Sequence, residues 1–101
     1  MAQVLVLYNT PVDPSAFDRY YHQTHIPLAK KIPGLRSLSI NNGPVQAIGA
    51  SAPHLIATLN FDSMTDLNAA LASPEGQAAA ADLPNFASGG ATLLIHDNKT
   101  V

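Results

Sequence analysis

Two histidines, His22 and His25, stand three residues apart and just before Pro27. Imidazole titrates near neutral pH, so such a side chain can act as an acid, a base or an anion ligand. Proline lacks an amide hydrogen, so Pro27 is expected to bend or end the preceding helix and to push Ile26 toward extended geometry. His25 is then predicted at a helix C-terminus, where the macrodipole favours an imidazolium. The alternative is a histidine that only bonds a backbone carbonyl where the helix ends.

A metal site is not predicted from these residues. Histidines at positions i and i+3 of a helix can reach one ion, but Asp18 and Asp13 are the nearest acidic residues before them, and neither lies close enough to complete a ligand set. The chain has no cysteine, which excludes disulfides, thiolate catalysis and cysteine-held clusters. One histidine could ligate haem, but no other feature favours it. The glycines follow no nucleotide-binding pattern, so we predict no cofactor.

Charge and hydropathy narrow the possible partners. The net charge is −2 with five lysines and arginines, so no nucleic-acid-binding surface is predicted. No apolar run approaches the roughly 18 residues of a membrane span. Residues 1–4 lack the basic region of a signal peptide, and we expect a cytoplasmic protein.

The 101 residues are predicted to form one domain, residues 1–101, with an excess of apolar side chains. Of these residues 47% are hydrophobic and only 12% are charged, against roughly 25% charged in a typical domain. A subunit interface is the simplest place to bury this excess, so a homodimer is expected.

Hydrophobic periodicity and turn residues predict the strands and helices that would position the histidines. Asp13 and Pro14 are typical of a helix start, and Phe17, Tyr20, Tyr21 and Thr24 would form one stripe of that helix. Strands are predicted at residues 3–8 (buried on both faces), 35–40, 54–61 and 91–97, with a long loop at 41–53. Further helices are predicted after the cap at 62–63 and from 73 to 82.

The order strand, helix, strand, strand, helix, strand is typical of an α+β, ferredoxin-like βαββαβ domain. Such a domain has a four-stranded antiparallel sheet with helices on one face. The other face would be bare in a monomer, and pairing two such faces would give a dimeric α+β barrel.

Several motifs spread over nearly the whole chain carry a family resemblance. They are Tyr8-Asn9, Asp13, Phe17, Tyr21, Thr24-His25-Ile26-Pro27-Leu28, Pro33-Gly34-Leu35, His54-Leu55-Ile56-Ala57, Phe61-Asp62-Ser63, Ser73-Pro74-Glu75-Gly76 and Asp82-Leu83-Pro84-Asn85-Phe86. Together they resemble the EthD family, which is named for a protein required in ethyl tert-butyl ether degradation. The resemblance implies the dimeric α+β barrel superfamily, which includes cofactor-free quinol monooxygenases, lactone isomerases and haem-binding peroxidase-like proteins. It also implies a ligand between the sheet and the helices.

His25 matches the histidine of the family's His-x-Pro motif and is the predicted catalytic residue. It would project toward the ligand cleft together with Phe17 and Tyr21, because residues four apart share a helix face. On the third strand, alternation puts three polar side chains on one face as candidate contacts. The predicted substrate-binding residues are Tyr8, Tyr21, His54, Thr58, Asn60 and His96.

Three functional hypotheses remain open from the sequence. The first is an enzyme with an apolar pocket for a small oxygenated hydrophobic metabolite such as a lactone, quinol or aromatic intermediate. His25 would be its general acid and base, in a cofactor-free isomerisation or oxidoreduction of the monooxygenase type. The second is a non-catalytic accessory protein that binds such a metabolite. The third is an oligomeric scaffold without ligand, which predicts no ligand-sized cavity beside His25.

Overall fold

The computed structural model describes all residues, 1–101, and places four strands in one sheet. The strand order is β2-β3-β1-β4, and every neighbouring pair is antiparallel. This confirms the α+β, ferredoxin-like prediction. The strands are β1 (Ala2–Tyr8), β2 (Ser37–Ile40), β3 (Leu55–Phe61) and β4 (Ala91–Asp97).

The helices lie against one face of this sheet. Ser63 and Ser73 cap their helices by accepting a hydrogen bond from the amides of Asp66 and Gly76, at 3.1 and 3.0 Å. The helical segments are α1 (Pro14–Tyr20), a π-helical turn (Tyr21–His25), α2 (Ile26–Ala29), α3 (Met64–Ala72), α4 (Pro74–Asp82) and a 3₁₀ turn (Leu83–Asn85). None of them offers the long apolar stretch that crossing a membrane requires.

Alternation along the two central strands decides which side chains enter the core. In β1, Val4, Val6 and Tyr8 are buried against the helices, whereas Leu5 and Leu7 on the other face are only partly buried. The prediction that this strand is buried on both faces is therefore wrong for a single chain, because the helices cover one face only. The other face is left open, as the ferredoxin-like pattern predicts.

The first helical region does not end at Pro27. Ile26 has φ −58° and ψ −49°, which is helical, so the prediction of extended geometry there is wrong. The amide of Ile26 bonds to the carbonyl of Tyr21, five residues back, and this wide turn lets the helix continue through Pro27 to Ala29. His25 therefore lies within the helical run, and the helix-end argument for an imidazolium does not apply.

Candidate functional site

A cavity of about 60 Å³ lies between the sheet and the helices. Sixteen residues line it, and all are hydrophobic or aromatic except His25 and Gly76. Val4 and Val6 of β1 form part of its sheet side, and Ala79 and Ala80 of α4 line its helix side. The wall is thus mostly built of small or aliphatic groups, with the side chains of Tyr8, Tyr21 and His25 as its polar members.

His25 is buried, with 6% of its surface exposed, and its ring lies at the cavity wall. Its Nδ1 is 2.9 Å from Oδ2 of Asp82, at the end of α4. The other oxygen of Asp82 accepts hydrogen bonds from the Tyr20 hydroxyl at 2.6 Å and from the Asn85 amide at 2.9 Å. Asp82 is therefore held by three donors on two sides.

The charge state of Asp82 sets the tautomer of His25. Burial alone would raise the pKa of Asp82, but the hydrogen bonds from Tyr20, Asn85 and His25 outweigh it and lower the pKa below its ordinary value. At neutral pH the carboxylate is thus ionised and can only accept, so Nδ1 of His25 carries the hydrogen that is donated to it. Nε2, which has no partner in the chain, is the nitrogen left for a ligand.

Two tyrosines stand beside His25 in the same wall. Tyr8 and Tyr21 are each 1% exposed, and their ring centroids are 5.6 Å apart. The Tyr21 ring is 5.5 Å from that of His25, and Phe86 packs on His25 at 4.7 Å. The π-helical turn places His25 beneath Tyr21 on the buried side of the helix. The prediction that these side chains share one buried face with Phe17 is confirmed, whereas Thr24 is exposed.

His54 lies outside this cavity. Its Nε2 is 2.8 Å from Oδ1 of Asp18, and its ring packs edge-on against Phe17 at 5.0 Å. Residue 54 precedes the first residue of β3, so its side chain does not follow the alternation of the strand and points toward α1. The expectation that His54 shares a face with Thr58 and Asn60 is therefore wrong.

The remaining predicted contacts lie on the open face of the sheet. Thr58 and Asn60 alternate with the buried residues of β3. His96 of β4 lies opposite Gln3 of β1. The Gln3 amide donates to Asn60 at 2.8 Å, and Asn60 donates to Ser37 at 2.8 Å. The structure does not bring these three residues to His25, because the sheet itself separates them from the cavity.

Asp82 is the site residue that the sequence reasoning missed. It stood among the family-like motif residues, but 57 positions separate it from His25, and no local spacing signals their pairing. The prediction that no acidic residue lies near the histidines is thus wrong for His25, because Asp82 contacts it in the folded chain. The chain nevertheless contains no group of three or more histidine, cysteine, aspartate or glutamate side chains able to hold a metal ion.

Known proteins are similar to this chain over nearly its whole length. A sequence model for the EthD domain matches residues 9–90. An uncharacterised 11.0 kDa protein from the thcB–thcC intergenic region of Rhodococcus erythropolis is 43% identical over 103 residues, covering 100% of this chain and 98% of that protein.

Solved structures agree with the fold. The crystal structure of an EthD-family protein from Bacillus halodurans matches with TM-score 0.87 and 34% identity over 98% of this chain and 99% of that one. A dimeric protein of ferredoxin-like fold from Bacteroides fragilis matches with TM-score 0.64 and 16% identity, over 96% and 95% of the two chains.

Proposed function

The chain belongs to the EthD family, and on that premise we propose that its cavity binds a small oxygenated, hydrophobic metabolite on which His25 acts as general acid and base. The observation that carries this proposal is the bond between Nδ1 of His25 and Asp82, 2.9 Å long, which leaves Nε2 for a ligand in a largely apolar cavity. A buried imidazole oriented by a carboxylate is an arrangement that supports general base catalysis.

The chemistry that this arrangement supports is proton transfer at a carbon beside a carbonyl group. The lone pair of Nε2 takes the proton, the C–H bond breaks, and its electron pair moves onto the carbonyl oxygen to give an enolate. Asp82 stabilises the imidazolium that forms. Return of the proton to a different carbon completes an isomerisation. A cofactor-independent oxygenation would start from the same carbanion, with dioxygen as the co-reactant.

Deuterium exchange tests proton abstraction without knowledge of the natural substrate. In D₂O, we expect the protein to exchange the α-hydrogens of acetone, cyclopentanone or γ-butyrolactone faster than buffer alone, as measured by loss of their ¹H NMR signals. A His22→Gln variant is the matched control, because His22 is exposed and lies one helical turn from His25. Binding of these compounds without exchange would instead support a metabolite-binding accessory protein, and absence of both would support a scaffold.

The open face of the sheet supports a second part of the proposal, a homodimer. Leu5 and Leu7 of β1 and Ile56 of β3 present partly exposed apolar surface there, and Leu94 of the edge strand is 48% exposed. Large apolar faces of this kind mark interaction surfaces. The B. fragilis protein with this fold is dimeric, and two copies of the present chain can cover these faces by stacking sheet on sheet.

Sedimentation tests this interface directly. We expect the wild-type chain to sediment at twice its mass of 10.6 kDa, and a Leu5→Lys, Leu94→Glu double variant to sediment as a folded monomer, because the charges would be buried in the interface. Val12→Lys is the matched control, since Val12 is 89% exposed and lies outside the sheet. A monomeric wild type, or a double variant that stays dimeric, would contradict this interface.

A further inference from the structure

Two tyrosine hydroxyls in the cavity wall have no partner in the chain. Of the three tyrosines, only Tyr20 forms a hydrogen bond, which it donates to Asp82. Tyr8 and Tyr21 are each 99% buried. No side-chain oxygen or nitrogen that is fully enclosed in the protein lacks a hydrogen-bond partner, so these two hydroxyl oxygens are not fully enclosed. Their hydroxyl oxygens are therefore reached by the space of the cavity that both residues line. A buried hydroxyl without a partner costs free energy, so this pair points to a ligand that supplies an acceptor.

The two hydroxyls are available as donors and not as bases. Burial raises the pKa of Tyr21 to about 12. For Tyr8, burial raises the pKa above its ordinary value, and the proximity of Tyr21 and of the charged Asp82 raises it further. Both side chains thus stay protonated at neutral pH, and each can donate one O–H.

We infer that Tyr8 and Tyr21 form an oxyanion site, in which both hydroxyls donate hydrogen bonds to the carbonyl oxygen of the ligand. This inference rests on the proposed function, because the oxygen gains its negative charge only when Nε2 of His25 removes the α-proton. The electron pair of the broken C–H bond then resides on an oxygen held by two fixed donors in an apolar site, where such bonds stabilise charge most. No external oxidant or cofactor is required for this step.

The substrate class follows from this placement of groups. The site fits a ketone, aldehyde or lactone that carries a hydrogen on the carbon beside its carbonyl. A cavity of about 150 Å³ holds benzene in an engineered protein, so the space of about 60 Å³ here holds the carbonyl and its nearest carbons. A larger substrate extends toward Leu93, which lines the cavity and is 42% exposed at the edge of the sheet.

The experiment compares a ketone with a hydrocarbon of the same shape. We expect [1-¹³C]cyclopentanone to bind at least about tenfold more tightly than methylenecyclopentane, which lacks the acceptor, in NMR titrations of the protein. The ¹³C carbonyl resonance should move downfield on binding. In a Tyr8→Phe, Tyr21→Phe double variant, the two affinities should converge to within about twofold, and the resonance should return toward its free position.

His22→Gln serves as the comparison, because His22 is exposed and does not line the cavity. It should leave the carbonyl shift of bound cyclopentanone unchanged. The inference is overturned if the hydrocarbon binds as well as the ketone, if the double variant keeps the downfield shift, or if the ketone does not bind. Deuterium exchange without the carbonyl shift would refute the oxyanion site alone, whereas the shift without exchange would refute the acid–base function and keep the site.

Discussion

An Asp82→Asn variant is expected to fold and to catalyse deuterium exchange about 10²- to 10⁴-fold more slowly than the wild type. The carboxylate accepts the Nδ1 hydrogen of His25 over 2.9 Å, so in the neutral imidazole the lone pair lies on Nε2. An asparagine amide can donate to Nδ1 instead, which moves the imidazole hydrogen to Nε2 and removes the base. The substitution keeps the size of the side chain and an oxygen for Tyr20, so the loss would come from the tautomer. Initial rates measured by NMR from pD 5 to 9 give the comparison.

Two further variants serve as controls for the Asp82→Asn result. His25→Gln removes the imidazole and sets the floor of the assay. Asp18→Asn is the matched control, because Asp18 forms the other histidine–aspartate pair of the chain, with His54, and is 53% exposed outside the cavity. We expect the Asp18→Asn variant to exchange at the wild-type rate. An Asp82→Asn variant that retains this rate would show that the carboxylate does not position the base.

A Gly76→Ala variant is expected to lower the free energy of unfolding by about 3 kcal/mol, at the upper end of the cost of overpacking. Helix propensity alone favours alanine by about 1 kcal/mol. A β-carbon at Gly76, however, would lie 2.1 Å from the carbonyl oxygen of Ala70 and 3.1 Å from Cα of Leu71. Both are backbone atoms of α3 and cannot rotate away, so α3 and α4 would have to separate. Urea unfolding followed by circular dichroism measures the difference.

An Ala78→Gly variant calibrates the backbone contribution, because Ala78 is exposed in the middle of the same helix. Its expected loss is about 1 kcal/mol, from helix propensity alone. A Gly76→Ala protein as stable as the wild type, or more stable, would show that the close approach of the two helices is not required.

Much of the fold could be read from local patterns. Strand alternation and continuous apolar runs indicated four strands, and serine or aspartate before a helix start indicated the caps at Asp13, Ser63 and Ser73, which the structure confirms. The order of elements then sufficed for the ferredoxin-like topology. These signals are local, because each depends on residues within a few positions of one another.

Local signals misjudged the helix at Pro27 and the polar residues of β3. The proline rule holds for a regular α-helix, but the wide turn at Tyr21–His25 changes the carbonyl that the ring would meet. In β3, alternation separated two sets of side chains correctly, but it could not say which set faces the helices. The aliphatic set packs against the helices, so Thr58 and Asn60 lie on the open face of the sheet.

The elements and their order follow from neighbouring residues, because periodicity and capping act over a few positions, and the resemblance to the family pointed to His25. The contact of Asp82 with His25 and the unpaired hydroxyls of Tyr8 and Tyr21 beside them depend on how distant segments pack. Asp82 and His25 are 57 residues apart and come into contact because the pairing of β1 with β3 sets both helical regions on the same face of the sheet.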